Sequence, residues 1–150
     1  MRRGWIRVGG LIVAGATWAL DYLAKRLFFL PASPGVFGLP LWLVRLTDHH
    51  NFGLTFDLPF PLVLLIGVSG LIVAGLLYWL LFGRGLSWKE TLAIGLVIGG
   101  ALGNLWDRLA LGFVRDWLLL FGRSAVNLAD CAVILGVILL AWKTRRPKEA

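Results

Sequence analysis

Four long apolar runs separated by more polar segments dominate the sequence. They cover residues 8–28, 61–82, 91–106 and 126–142, and the third run is the shortest and is rich in glycine. A helix that crosses about 30 Å of hydrocarbon needs roughly 20 predominantly apolar residues, and fewer where one end is buried in protein. No run shows the strict alternation of a barrel strand, and a single spanning segment must satisfy its own backbone hydrogen bonds. The pattern therefore predicts four transmembrane helices.

Two polar segments, residues 31–60 and 107–125, connect the predicted helices on one side of the membrane. The first has proline and glycine punctuation and a stretch at 39–46 that favours a strand. A segment of that length without structure of its own is unusual, so we expect residues 31–60 to form a small sheet or lid. The predicted fold class is an all-α polytopic membrane protein with four transmembrane helices and a small extracytoplasmic β-sheet or lid, in which residues 1–150 form a single membrane domain.

Composition narrows the class further. Apolar residues make up 59% of the chain and charged residues only 15%, whereas soluble domains are about 25% charged. A soluble domain of 150 residues could not cover that much apolar side chain, and a disordered chain would not contain it. The single cysteine excludes a disulfide scaffold. These observations leave a small integral membrane protein.

The formal net charge of +7 is distributed unevenly. The two termini and the 83–90 loop together carry the whole excess, through the basic residues Arg2, Arg3, Arg7, Arg84, Lys89, Lys143, Arg145, Arg146 and Lys148 against Glu90 and Glu149. The positive-inside rule assigns that side to the cytoplasm. Both termini are therefore expected to be cytoplasmic, and the charge is attributed to topology and anionic lipids and not to a nucleic acid partner.

Polar side chains within the spans concentrate at the predicted outer ends of three of them. Ionisable groups inside membrane helices are costly, so they are functional candidates by default. They lie three or four residues apart, as in the pairs Asp21 and Lys25, Asn104 and Arg108, and Asn127 and Asp130. For the first pair, an internal ion pair without a functional role is the simpler explanation.

Three glycines, Gly95, Gly99 and Gly103, recur at every fourth position of the third run. Small residues at this spacing let two membrane helices approach closely. We therefore expect this face of the third helix to pack against a neighbour.

Asp116 and Asp130 form the most informative pair. A continuous helix would hold them about 21 Å apart, but a turn at 122–124 lets the chain double back between them. Two carboxylates in a half-buried site repel each other, so one keeps a proton near neutral pH and the pair supplies an acid and a base. The alternative is that each aspartate makes a separate ion pair with Arg108, Arg115 or Arg123.

Other constellations are weaker. His49, His50 and Asp48 could bind a metal, but neighbouring side chains seldom chelate one ion and the chain has no further histidine. Cys131 is interpreted as a packed core cysteine. A small four-span transporter with buried charges stays open as an alternative function.

Five short motifs run in order along nearly the whole chain. They are Asp21-Tyr-Leu-Ala-Lys25, Asn51-Phe-Gly53-Leu-Thr-Phe56, Gly99-Gly100-Ala-Leu-Gly103-Asn104-Leu-Trp-Asp107-Arg108, Val114-Arg115-Asp116-Trp117 and Asn127-Leu-Ala129-Asp130. This set resembles the motifs of the lipoprotein signal peptidases, also called signal peptidase II. One such motif would carry little weight, whereas five in the family's order are specific.

The resemblance implies an aspartic endopeptidase of the bacterial inner membrane, which removes the signal peptide from diacylglyceryl-modified prolipoproteins by cutting before the lipidated cysteine. Asp116 and Asp130 would be the catalytic dyad, acting through a water. Residues implied to bind substrate or to support the dyad are Asn51, Gly53, Asn104, Arg108, Asn127, Asp21 and Lys25. The implied partners are lipid-modified prolipoprotein and membrane lipids. We further expect a monomer without cofactor or metal, with its site near the extracytoplasmic face.

The sequence departs from the family pattern in small ways. Leu54 and Thr55 stand where the family often has small residues, and Trp117 is bulkier than the usual phenylalanine. Arg115 places a positive charge next to Asp116, and a neighbouring cation would lower the pKa of that carboxyl.

Overall fold

The computed structural model describes residues 2–29, 44–54 and 58–143. These residues form four helices and three strands. In chain order they are α1 (Arg2–Phe28), β1 (Val44–Asn51), α2 (Leu62–Phe82), α3 (Trp88–Leu111), β2 (Val114–Leu120), β3 (Ser124–Val126) and α4 (Leu128–Lys143). Residues 31–43 and 55–57 of the expected sheet or lid, and the basic residues after 143, lie outside the described ranges.

Three of the helices, α1, α2 and α3, are long and apolar enough to cross a membrane. Helix α4 is apolar but has only 16 residues, so on length alone it does not reach the roughly 20 that a span requires. Helix α3 extends to Leu111, beyond the predicted end at 106. Asp107, predicted to lie in the outer segment, is therefore in the last turns of the helix, where its charge is paired by neighbouring side chains.

Helix α3 is the centre of the fold, and its glycines set how closely α1 approaches. A Cβ atom added to Gly95 would lie 2.6 Å from the carbonyl oxygen of Gly10, and one added to Gly99 would lie 2.5 Å from that of Ala14. At Gly103 the added atom would meet the carboxylate of Asp21. The expected close packing along this face is confirmed, because a side chain at any of the three positions would push α1 away.

The neighbouring face of α3 packs against α4 in the same way. A Cβ atom on Gly100 would lie 2.5 Å from the carbonyl oxygen of Ala129, and Gly136 of α4 contacts the backbone of Ala93 and the side chain of Val97. Glycines on both helices thus fix the depth at which the N-terminus of α4 sits against α3.

A substitution at Gly99 tests this packing. We expect Gly99→Ala to lower the free energy of unfolding by about 1–3 kcal/mol, because the methyl group overlaps the α1 backbone. Thermal unfolding in detergent micelles measures the effect. The matched control is Gly75→Ala on α2, where an added Cβ meets nothing within 4 Å. Equal melting temperatures for the two variants would contradict the close contact between α1 and α3.

The sheet is antiparallel with the order β1-β2-β3. Among the described residues of the 31–60 segment, where a small sheet was expected, β1 is the one strand, and the other two strands come from the second polar segment. The predicted reversal between Asp116 and Asp130 is present as the turn joining β2 to β3, with positive φ at Phe121 (52°) and Gly122 (64°). Gly112, with φ of 81°, ends α3 and lets the chain turn back into β2.

A one-residue irregularity in β1 sets which side chains share a face of the sheet. Leu46 pairs with Leu118, whereas His49 pairs with Asp116, so two residues of β1 oppose Trp117 alone. A shift of one residue in the strand register moves each side chain of the strand to the other face of the sheet. Beyond the irregularity Asn51 lies on the same face as Asp116, and in the uninterrupted register it would share a face with Arg115 instead.

Candidate active site

Asp116, on β2, lies between β1 and the N-terminal end of α4. Its side chain is buried, and both of its carboxylate oxygens accept hydrogen bonds. Asn51 Nδ2 donates to Oδ2 over 2.9 Å and Asn127 Nδ2 donates to Oδ1 over 2.6 Å. The bond from Asn51 is a diagonal contact across the β1–β2 pair, since Asn51 stands opposite Val114.

Asp130 lies in the first turn of α4 and forms a reciprocal cap with Asn127. Asn127 Oδ1 accepts from the backbone N–H of Asp130 over 2.9 Å, and the Asp130 carboxylate accepts from the backbone N–H of Asn127 over 3.3 Å. This is a capping box in which asparagine and aspartate take the usual positions of serine and glutamate. The helix N-terminus also favours a negative charge at this position.

Asn127 therefore joins the two aspartates, since it contacts both carboxylates. The Asn-x-x-Asp spacing before an apolar run is a helix-start signal, whereas the predicted start of the fourth helix rested on hydropathy alone. The same holds for the capping box of Ser87 and Glu90 at the start of α3. Recognising the first signal would have placed Asp130 at a helix N-terminus from sequence alone.

Asn104, on α3, forms the second bridge to Asp130. Its Nδ2 donates to Asp130 over 2.7 Å, while its Oδ1 accepts from Lys25 Nζ and from Asn127 Nδ2. Because an ammonium group can only donate, Lys25 fixes the orientation of this amide. The N–H groups of Asn104 consequently face the Asp130 carboxylate.

Asp21 and Lys25 form the expected ion pair, with 2.7 Å between Nζ and Oδ2, and both are buried. Each also makes a contact that a bare ion pair would lack. Lys25 donates to Asn104 as described, and Asp21 Oδ1 accepts from the backbone N–H of Ala129 over 2.9 Å. The pair thereby links α1 to the amide network and to the first turn of α4.

The loop after β1 is held by Gly53. Its backbone N–H donates to Asn51 Oδ1 over 3.0 Å, which orients the Asn51 amide toward Asp116. Its carbonyl accepts from Arg108 of α3 over 3.1 Å. Arg108 is also within electrostatic range of Asp116 and Asp130 without forming a salt bridge to either in the described part of the chain.

Arg115 behaves differently from the expectation stated above. Its guanidinium bonds to Asp107, with 2.7 Å between Nη2 and Oδ1, and not to Asp116. Successive residues of a strand face opposite sides, so the side chain next to Asp116 in sequence is directed away from it. The expected lowering of the Asp116 pKa by Arg115 was therefore wrong. Across the described residues, neither Asp116 nor Asp130 has the arginine ion pair of the alternative interpretation.

Burial raises the pKa of Asp116 to about 6. The hydrogen bonds from Asn51 and Asn127 lower the pKa and the nearby negative charge of Asp130 raises it, while Lys25 lowers it. Desolvation is the largest of these effects because the carboxyl is almost inaccessible to solvent. A carboxyl with a pKa in this range can hold or release a proton near neutral pH, as an acid–base catalyst must.

Two other residues singled out in the sequence lie elsewhere. Cys131 is exposed on α4, so its interpretation as a core cysteine was wrong. His50 packs its ring against Phe113, with 4.3 Å between centroids, and against Phe29. Among the described residues, no three His, Cys, Asp or Glu side chains are grouped as metal ligands would be.

Known proteins share both this sequence pattern and this fold. The profile of the signal peptidase (SPase) II family matches residues 13–146. A lipoprotein signal peptidase of Caulobacter vibrioides is 37% identical over 150 aligned positions, which cover 93% of this chain and 86% of the relative. One of Teredinibacter turnerae is 38% identical over 109 positions, which cover 64% of this chain and 62% of the relative, so that match spans less than two thirds of the relative's length.

Two solved structures described as bacterial membrane enzymes, determined in meso at 2.3 Å and 1.9 Å resolution, have the same fold. Their TM-scores are 0.77 and 0.78 at 23% and 22% identity, and they cover 95% and 93% of this chain. The match along most of the sequence, together with the shared fold, shows that the chain belongs to the signal peptidase II family of bacterial membrane peptidases.

Proposed function

We propose that this chain is an aspartic endopeptidase that removes the signal peptide from diacylglyceryl-modified prolipoproteins, cutting before the lipidated cysteine. The observation that carries the proposal is the joining of Asp116 and Asp130 through Asn127, which contacts both carboxylates. Family membership and the names of the relatives support the substrate class.

In the proposed reaction the two aspartates share one proton. The ionised carboxylate takes a proton from a water, and the water oxygen attacks the carbonyl carbon before the cysteine. The protonated carboxyl then delivers its proton to the leaving amide nitrogen as the C–N bond breaks. One water is consumed. The carboxylate that took a proton from the water keeps it, so the dyad again holds one proton at the end of the reaction.

The surrounding residues have supporting roles in this proposal. Asn51, Asn104 and Asn127 hold the two carboxylates by N–H donation, and Asp21 and Lys25 hold the amides and the helix end. Arg108 and Gly53 tether the loop after β1, whose backbone is suited to bind an extended substrate segment.

The membrane arrangement is also inferred. Helix α4 acts as a fourth, short span because its N-terminus is buried in protein against α3. With four spans, the two termini and the 83–90 loop lie on the same side of the membrane. Because this side carries the excess of basic residues, the positive-inside rule makes it the cytoplasmic side. The dyad lies near the extracytoplasmic face, and the chain works as a monomer in contact with membrane lipids.

The transporter alternative has less support from the site. The buried charges that suggested it, Asp21, Lys25 and Asp107, are paired with one another in the structure. A transport pathway needs charged groups that can exchange partners with a moving ion.

Cleavage of a purified prolipoprotein tests the function directly. The protein in detergent should convert a diacylglyceryl-modified prolipoprotein to a shorter product, and mass spectrometry should find the lipidated cysteine at the new N-terminus. The same precursor without its lipid is the control and should stay uncut. Cleavage at another bond, or equal cleavage of both precursors, would contradict the proposed specificity.

The raised pKa of Asp116 predicts the pH profile. A carboxyl with a pKa of about 6 keeps its proton below that pH and loses it above, and in the proposal the active dyad holds one proton. We therefore expect kcat/KM to fall about tenfold per pH unit above roughly pH 6. In Asn51→Ala this decline should begin at higher pH, because the lost hydrogen bond had lowered the pKa. A decline that begins at the same or a lower pH would contradict this assignment.

A further inference from the structure

Arg115 bonds to Asp107 through both its backbone and its side chain, and neither the relatives nor the proposed reaction gives it a role. It precedes Asp116 on β2. Its backbone N–H donates to Asp107 Oδ2 over 3.1 Å, and its guanidinium donates to both oxygens of the same carboxylate, at 2.7 Å for the shortest bond. The Asp107 carboxylate thus accepts hydrogen bonds from both the backbone and the side chain of the residue next to Asp116.

The contact completes a charge-balanced ionic network of the three buried groups Asp21, Lys25 and Asp107 with the half-buried Arg115. Asp107 also pairs with Lys25, with 3.1 Å between Nζ and Oδ2, and Lys25 pairs with Asp21. Two cations and two anions therefore alternate across α1, α3 and β2. Without Arg115 the remaining three groups would carry a net charge of −1 in a buried position, which is costly.

Lys25 is the member of this ionic network that is linked to the dyad, through Asn104. Its three donors are directed at Asp21, Asp107 and Asn104, and the bond to Asn104 keeps that amide turned toward Asp130. Asp107 competes with Asn104 for Lys25. Because Arg115 supplies most of the hydrogen bonds that the Asp107 carboxylate accepts, Lys25 can stay within reach of Asn104.

We propose that Arg115 is a positioning residue for the dyad: it holds β2 in place beside Asp116 and, by neutralising Asp107, leaves Lys25 free to orient Asn104. It does not touch substrate. Loss of Arg115 lets Lys25 shift toward Asp107 and adds one uncompensated negative charge near the dyad. The inference rests on the proposed peptidase function, because its readout is cleavage.

The test compares Arg115→Leu with Arg123→Leu, which removes a positive charge from the exposed turn of the same hairpin. We expect Arg115→Leu to lower kcat by about tenfold with little change in KM, because positioning and not substrate contact is lost. Its pH decline should begin about 0.5–1 unit higher, since an added negative charge favours the protonated dyad. Besides Arg115, the charged or titratable groups around Asp116 are Lys25, Arg108, Asp130 and His49, which pairs with Asp116 across β1 and β2, and none of them is substituted in this variant.

A second variant separates charge from packing. In Arg115→Leu combined with Asp107→Asn, the ionic network is neutral again. The decline of activity with rising pH should therefore return to its position in the unsubstituted protein. If Arg115→Leu is not recovered folded, Arg115→Gln takes its place, because it keeps an amide donor for Asp107 and should show the same pH shift.

The outcomes are distinct. An Arg115 variant whose kcat and pH profile match those of Arg123→Leu overturns the positioning role, and so does a shifted decline that the double variant does not reverse. If the unsubstituted protein itself fails to cleave lipidated prolipoprotein, the proposed function fails instead.

Discussion

Replacing either aspartate of the proposed dyad is expected to abolish cleavage of lipidated prolipoprotein. For Asp116→Asn and Asp130→Asn we expect kcat to fall by at least about 10³-fold, because an amide neither accepts a proton from water nor delivers one to the leaving nitrogen. The double variant should be no less active than either single variant, since an acid and base that act as one unit are not additive.

The matched control for this prediction is Asp48→Asn, which removes an exposed carboxylate from β1 without touching the hydrogen bonds of the site. It should cleave at the rate of the unsubstituted protein. All variants need the same elution profile in detergent, so that loss of activity is not loss of fold. Substantial cleavage by either single dyad variant would remove the dyad from the mechanism.

Asn127 is expected to give the second largest effect, because it joins both carboxylates and caps α4. In Asn127→Ser the hydroxyl oxygen can still cap the helix, whereas the N–H donors to Asp116 and Asn104 are lost. We expect kcat to fall by about 10²-fold, the order found when a positioned hydrogen-bond donor is removed from an active site. The decline of kcat/KM with pH should begin higher, since the lost bond had lowered the pKa of Asp116.

Asn127→Ala distinguishes the two roles of this residue. It should lose as much activity as the serine variant and be less stable by about 1 kcal/mol, because the helix cap is lost as well. Thermal unfolding in micelles and single-turnover cleavage measure the two effects separately. A serine variant with nearly full activity would show that the donor to Asp116 is dispensable.

The sequence indicated much of the helical framework. The apolar runs placed α2 to within one residue at its start and gave the end of α1, because exclusion of water requires long uninterrupted apolar stretches. Helix α1 begins at Arg2, before the predicted start at residue 8, because its first turns carry arginines that a hydropathy pattern leaves out. The glycine repeat correctly predicted a close helix contact, and its partner α1 became evident only in the structure. The end of α3 was predicted too early, since Asp107 is polar in sequence but buried by Arg115 and Lys25.

The five ordered motifs identify the family and the candidate residues without any coordinates. The bonding partners of those residues follow only from the fold. Asn51 reaches Asp116 across 65 residues, through a strand register set by one extra residue in β1, and Asp21 reaches the α4 backbone across 108. Arg115 serves Asp107 and not its neighbour, because a strand directs adjacent side chains to opposite faces. Local sequence specifies elements and chemistry, whereas contacts between distant residues select which donor meets which acceptor.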